Sequence, residues 1–192
     1  MTTPAPPPTA RPLTRAVHRP LRGDLGLELL RCKWRLHEAP TSPPPASEEA
    51  VAAVLAASAE ILRTIMMEHG WPGYTLVGKD AARVAWHIAH NCPDIELQAE
   101  AQRLLEAAVL AGDADPDHYA LLTDRLCAQR GRPQRFGTQY VQHRINGLVL
   151  YPIADLEGLD ERRAALGLEA HAQYDARTRN DTVLSEPVGP RL

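Results

Sequence analysis

One short run of the sequence, His87-Ile88-Ala89-His90-Asn91-Cys92, contains two imidazoles and a thiol. If the run is helical as far as Asn91, His87 and His90 lie on one face, because residues three apart are neighbours on a helix. Cys92 then follows the helix end and can turn back towards His90. This trio is a ligand set for zinc, or in part for iron or haem. The competing interpretation is one buried polar histidine with two incidental neighbours.

A second region, from residue 124 to residue 139, is dense in side chains that make directed hydrogen bonds. Arg125 can hold a carboxylate or a phosphate through parallel N–H groups. A helix end followed by an irregular turn is a common way to present polar groups around a pocket. The alternative is that the same groups fix a hairpin against the helices. The candidate ligand-binding residues here are Asp124, Arg125, Gln134, Thr138 and Gln139.

A third candidate is Trp71 in the turn Gly70-Trp71-Pro72-Gly73. A residue that precedes proline is held in an extended conformation. The indole then either fills the edge of the core or stacks on a ligand. The chain contains no nucleophile elbow, phosphate loop or dinucleotide fingerprint that would name a reaction directly.

The elements that must position these residues are mostly helices. Apolar periodicity and capping residues predict five helices before residue 131. The inward face of the first contains Leu25, Leu29, Leu30, Trp34 and Leu36, and a short extended loop is expected at Tyr74–Gly78. The predicted helices are Asp24 to about Glu38, Glu48 to about His69, Asp80 to about Asn91, about Asp94 to Ala111, and Pro116 to near Gly131.

The pattern then changes to that of a β-hairpin. Phe136 to Ile145 and Leu148 to Ile153 flank Asn146-Gly147, a strong hairpin signal. Two short helices follow, at about Asp160–Leu166 and Leu168–Arg177. We therefore expect a mainly α, compact multi-helix domain over residues 23–178 with one β-hairpin at about residues 136–153.

The ends of the 192-residue chain have a different composition. Residues 1–22 are rich in proline and arginine, which predicts a disordered basic arm. Residues 179–192 are predicted to form a loose tail. No signal peptide or membrane span is expected from the apolar pattern. Three widely spaced cysteines predict no disulfide framework, so a cytoplasmic location is expected.

The charge distribution limits the partners. The net charge is −3, but four of the 21 basic side chains lie in the arm, which leaves 17 against 24 acidic ones. A moderately acidic body makes nucleic-acid binding an unfavourable interpretation. The stretch from Leu126 to Ala154 is free of acids and carries Arg130, Arg132, Arg135 and Arg144. A small anionic ligand is the partner that this pattern favours, and the oligomeric state is left open.

Several motifs, taken in order, resemble one pattern. They include Gly70-Trp71-Pro72, the helix that ends at His90, Leu122-x-Asp124-Arg125, the run Gly131-x-Pro133-Gln134-x-Phe136-Gly137-Thr138-Gln139 and Asp160-x-Arg162-Arg163. The pattern is similar to that of an uncharacterised bacterial family, a domain of unknown function, over roughly residues 24–175. The resemblance adds Gln98 to the candidate site. This chain departs from the pattern at Ala89, where a glutamine is usual, and at Phe136, where a tyrosine is usual.

Three functions follow from these residues. The first is a small-molecule enzyme or binding protein in which His90 is the general acid or base, Arg125 anchors an anionic group, and Gln134, Thr138 and Gln139 orient the ligand. The second is a non-catalytic interaction or regulatory module, in which the same residues hold the hairpin to the helices. The third is a zinc or haem protein that uses His87, His90 and Cys92. The sequence favours no particular cofactor.

Overall fold

The computed structural model describes residues 20–38, 48–143 and 147–185. Within these ranges the chain forms eight helices and one two-stranded antiparallel hairpin, which confirms the predicted mainly α fold with a single hairpin. In chain order the elements are α1 Gly23–Glu38, α2 Glu48–His69, α3 Tyr74–Val77, α4 Lys79–Asn91, α5 Ile95–Leu110, α6 Pro116–Gln129, β1 Tyr140–His143, β2 Gly147–Leu150, α7 Leu159–Ala165 and α8 His171–Ser185.

The core lies where α4 meets its neighbours. α1 and α2 pack against each other and both contact α4, while α5 packs mainly on α6. The buried face of α4 consists largely of alanine, which lets neighbouring helices approach closely, and Ile88 is fully buried there. Leu29 of α1 and Leu62 of α2 are also fully buried, and they join α4 in a continuous apolar cluster.

Local signals set several helix starts. The Asp94 carboxylate accepts hydrogen bonds from the backbone N–H groups of Glu96 and Leu97 at 2.9 and 3.1 Å, so it caps α5. Asp115 caps α6 in the same way, with Pro116 in the first helical turn as predicted. These starts agree with the sequence prediction because each cap uses a partner two or three residues away.

One segment was wrongly predicted as an extended loop. Residues Tyr74–Val77 form the short helix α3 instead. The reason is tertiary, because Asp113 accepts hydrogen bonds from the backbone N–H groups of Tyr74 and Thr75 at 2.9 and 2.7 Å. Those amides would otherwise be unpaired at the start of a helix. Asp113 therefore caps α3 from the loop between α5 and α6.

The predicted inward face of α1 is also wrong in part. Leu30 and Trp34 are exposed, Trp34 by 64%. The face that packs on the core contains Leu25, Leu29, Cys32 and Leu36. Both faces have helical apolar spacing, and the sequence alone does not decide which one the core covers.

The hairpin is shorter than predicted. β1 pairs with β2 in the register Tyr140 to Leu150 and His143 to Gly147, while Asn146 lies outside the described residues. The predicted strands began at Phe136 and ended at Ile153. Residues 134–139 are instead an irregular loop, and Ile153 makes only an isolated parallel bridge to Gln134. The loop departs from strand geometry because the side chains of Asp124 and Gln134, rather than a neighbouring strand, accept hydrogen bonds from its backbone N–H groups.

The C-terminal helix is longer than predicted. α8 continues to Ser185, although the sequence predicted a loose tail after residue 178. Arg179 supplies a reason, since its guanidinium donates to the Leu148 carbonyl at 2.7 Å and pairs with Asp175. The predicted arm, apart from residues 20–22, and the end of the predicted tail lie outside the described residues.

Helix α2 is long and apolar enough to cross a membrane, with a mean hydropathy of 1.7 over its most apolar window. This observation rests on the length and the composition of the helix alone. A core helix of a soluble protein passes the same test, and α2 does bury Leu62, Ile65 and Met66 against the other helices. The expected absence of a membrane span stays a prediction.

Candidate functional site

The first group of predicted site residues surrounds the Asp124 carboxylate, which is fully buried. This carboxylate accepts hydrogen bonds from the backbone N–H groups of Arg135, Phe136 and Thr138 at 2.7, 3.0 and 2.9 Å. The Thr138 hydroxyl donates a further bond at 2.9 Å. Buried charge is tolerated only with such partners. Asp124 therefore holds residues 135–138 in place from helix α6.

Gln134 acts on the other side of the same loop. Its side-chain NH₂ donates to the carbonyls of Gln139 and Tyr151 at 3.1 and 2.8 Å, and its Oε1 accepts from the Gln139 N–H at 2.8 Å. Gln134 is fully buried, so these bonds satisfy a group that burial would otherwise penalise. The Gln139 side chain, which is half-buried, donates to the Thr138 hydroxyl at 3.2 Å.

Arg163 completes this network, and the sequence reasoning did not give it a role. It is only 1% exposed, and its guanidinium donates to the carbonyls of Phe136 and Glu169 at 2.6 and 2.7 Å. Its charged end lies 4.9 Å from the centre of the Tyr174 ring. The paired arginines at 162 and 163 were the available signal. We call Asp124, Gln134, Thr138 and Arg163 the loop clamp, since their polar atoms bind the loop itself.

The second group lies between α4 and α6, around the Trp86 ring. The His118 ring stacks on this indole with centroids 4.1 Å apart and planes 9° apart, and the His90 ring lies 5.0 Å away. The indole N–H donates to the His118 carbonyl at 3.1 Å. Sequence reasoning missed His118. Its spacing of seven residues from Arg125 places both on one face of α6 and was the usable signal.

His90 is held in its neutral form. Burial, assisted by the nearby positive charge of Arg125, lowers the pKa of His90 to about 4. Burial also lowers the pKa of His118. At neutral pH the two rings are therefore uncharged, and each has one nitrogen that accepts a proton or a hydrogen bond.

Two polar groups near His90 lack partners within the described part of the chain. The Nε–H of Arg125 is buried without an acceptor, and the Oε1 of Gln98 is buried without a donor. The Gln98 NH₂ donates to the carbonyls of His90 and Cys92 at 3.1 and 2.8 Å, so Gln98 fixes the end of α4. An unpaired buried donor and acceptor each carry a cost that a ligand or a water removes. We call His90, Gln98, His118 and Arg125 the α4–α6 site.

The metal trio of the sequence prediction is not assembled. Among the described residues, no group of three or more His, Cys, Asp or Glu side chains lies close enough together to hold a metal. The buried Cys92 sulfur accepts a hydrogen bond from the Asp94 N–H at 3.3 Å, whereas His87 is exposed. His87, His90 and Cys92 are therefore not brought together as a ligand set, and the zinc or haem interpretation stays a prediction.

Trp71 is in the core. It is only 7% exposed and belongs to the apolar cluster around α4. A ligand that stacks on an indole needs an open ring face, which this position does not offer. The location matches the interpretation of Trp71 as a core-edge residue.

Comparison with known proteins agrees with the motifs. A family model described as a family of unknown function, DUF6624, matches residues 31–183. The chain belongs to the DUF6624 family. The match covers both the loop clamp and the α4–α6 site, so the DUF6624 domain includes all the predicted site residues. No curated protein and no solved structure matches the chain.

Proposed function

We propose that this DUF6624 protein binds a small anionic molecule at the α4–α6 site, with Arg125 as the anchor and His90 as a general base. The observation that carries the proposal is the half-buried guanidinium of Arg125, whose Nε–H has no acceptor among the described residues. A carboxylate or phosphate oxygen is the partner that a guanidinium binds best. The bacterial origin and the cytoplasmic location stay predictions.

His90 supplies the chemistry in this proposal. A neutral imidazole accepts a proton from a ligand hydroxyl or amine, whereas an imidazolium does not. A bound anion raises the pKa of His90, because the negative charge offsets that of Arg125. Anion binding therefore brings this base closer to the pKa that catalysis at neutral pH requires. The unpaired Gln98 Oε1 is an acceptor for a hydrogen on the same ligand.

A second function is favoured by a different observation. The side chains of the loop clamp form hydrogen bonds with the backbone of residues 134–139. This arrangement is expected of a non-catalytic module. We therefore assign Asp124, Gln134 and Thr138 to architecture rather than to ligand binding. Gln139 is only half-buried, and its place in a ligand site stays a prediction.

The test is a thermal-shift screen of the wild-type protein against carboxylic acids, organic phosphates and nucleotides. A ligand at 100 times its dissociation constant raises stability by about 2.7 kcal/mol. Arg125→Gln and His90→Gln should abolish the shift, while Arg35→Gln, at an exposed position on α1, should retain it. If no ligand shifts the wild type, or if the shift survives both site variants, the non-catalytic module is the better function.

A further inference from the structure

A separate cavity of about 440 Å³ opens on another face of α6. Thr123, Cys127 and Arg130 line it, at the spacing of one helical face. Arg125 is two residues from Thr123 and points about 200° away around the helix. The cavity and the α4–α6 site are therefore on opposite sides of α6.

Three arginines line this cavity, Arg130, Arg132 and Arg135. The charges of all three arginines affect the half-buried thiol of Cys127. Burial and the charge of Asp124 raise the pKa of this thiol, while the three arginine charges act in the opposite direction. The three arginines that line the cavity thus also share an electrostatic effect on this thiol.

No carboxylate neutralises these arginines within the part of the chain that the structure describes. None of the three forms an ion pair there, and Arg135 has only the Phe136 ring beneath it at 5.6 Å. Asp124, whose charge acts on the same thiol, directs its oxygens to backbone amides. Like charges that share one cavity repel each other, so an anion that neutralises them is favoured.

The other lining groups suit a small ligand. The Gln102 side-chain NH₂ donates to the Thr123 hydroxyl at 3.4 Å and has a second N–H besides, and Leu126, Pro133 and Ala154 form an apolar wall. The last carbonyls of α6 would oppose an anion, but those of Leu126 and Cys127 already accept from the N–H groups of Arg130 and Arg132 at 3.2 and 2.9 Å. The attraction therefore comes from the side chains.

We propose that this arginine cavity is a second binding site, which takes a small molecule with a diphosphate or similarly dense anionic group. Three cations match the two or more charges of such a group, and the volume suits a small ligand. A nucleic acid is a poorer match, because outside the N-terminal arm the chain carries 17 basic against 24 acidic side chains. The site does not depend on the α4–α6 proposal.

Cys127 offers a direct reporter. It is half-buried and lines the cavity, whereas Cys32 and Cys92 are buried. We would measure the rate at which iodoacetamide alkylates Cys127 in the full chain, by mass spectrometry, with and without inorganic pyrophosphate. Pyrophosphate should slow alkylation at least threefold at saturation, by blocking access and by raising the pKa of the thiol.

The matched variants are Arg130→Gln with Arg132→Gln, both exposed, and Arg31→Gln on α1 as the control. The double variant should raise the pyrophosphate concentration that gives half-maximal protection about tenfold or more, and the control should not change it. Arg125→Gln should leave protection intact, which separates this site from the α4–α6 site.

Three results would overturn the proposal. The first is no protection by pyrophosphate at 10 mM, roughly the weakest useful affinity. The second is protection that Arg125→Gln removes and the double variant retains. The third is stronger protection by a short single-stranded or duplex nucleic acid than by pyrophosphate at equal phosphate concentration, which would identify a nucleic-acid surface.

Discussion

Thr138 donates both its backbone N–H and its hydroxyl to the same carboxylate oxygen of Asp124, each at 2.9 Å. The hydroxyl bond is removable without disturbing the backbone. Thr138→Val should lower the free energy of unfolding by about 2 kcal/mol, because a buried charged acceptor loses a donor. Thr138→Ser keeps the hydroxyl and should cost about 1 kcal/mol, for the lost methyl group. Urea unfolding of both variants checks this, and a loss below about 0.5 kcal/mol for Thr138→Val would mean that the hydroxyl bond contributes little.

The turn at Gly137 gives a second prediction. Its φ is +74°, and an added Cβ would contact the His171 ring, whose Nε2 lies 3.2 Å from the Gly137 carbonyl oxygen. Gly137→Ala should therefore lose about 1–2 kcal/mol to backbone strain and further stability as His171 is displaced.

Gly131→Ala is the matched control for that turn. Its φ is +64°, but an added Cβ meets nothing within 4 Å. Its cost in thermal denaturation should be the strain alone, about 1–2 kcal/mol. A smaller loss for Gly137→Ala than for Gly131→Ala would contradict the contact with His171.

The sequence predicted those elements that depend on interactions between residues close together in the chain. Asp115 and Pro116 set the start of α6 with partners inside the same turn, so the sequence pattern sufficed. The helix at Tyr74–Val77 depends on Asp113, which is 38 residues from Thr75, and no local pattern announces that bond. Tertiary capping therefore explains the wrong prediction.

The same distinction applies to the candidate site. His90 and Arg125 were singled out because residue type alone marks a histidine or an arginine as able to do chemistry, and the family resemblance added Gln98. Sequence reasoning did not separate the loop clamp from the α4–α6 site, since that requires knowing which polar atoms are already paired. Arg163 was missed as a site residue because its acceptors are backbone carbonyls, one of them 27 residues away.

Arg163 provides a third prediction. Arg163→Lys keeps the charge but cannot donate to the Phe136 and Glu169 carbonyls at once while lying over Tyr174. We expect a loss of about 2–4 kcal/mol in the free energy of unfolding, because a buried cation is left under-bonded. Arg103→Lys, in an exposed ion pair with Glu100, should change stability by less than about 0.5 kcal/mol. Chemical denaturation of the two variants measures both losses. A loss for Arg163→Lys as small as that for Arg103→Lys would contradict the clamping role of Arg163.

The last prediction concerns pH. The folded protein holds the pKa of His90 at about 4, below the ordinary histidine value of 6.5. Between these two pH values the unfolded state binds the proton more readily, so stability falls as pH decreases through this window and is unaffected by His90 above it. After allowance for partial solvent screening, the contribution is on the order of 2 kcal/mol.

His90→Gln should flatten the part of the stability profile between pH 6.5 and 4 that this residue causes. His87 and His118 also have lowered pKa values, so the wild-type slope will not vanish completely. Urea unfolding at several pH values gives the slope, and NMR titration of the His90 ring gives the pKa directly. An NMR pKa at or above 6.5 would show that Arg125 and burial do not hold this imidazole neutral, and the base assigned to the α4–α6 site would lose its physical basis.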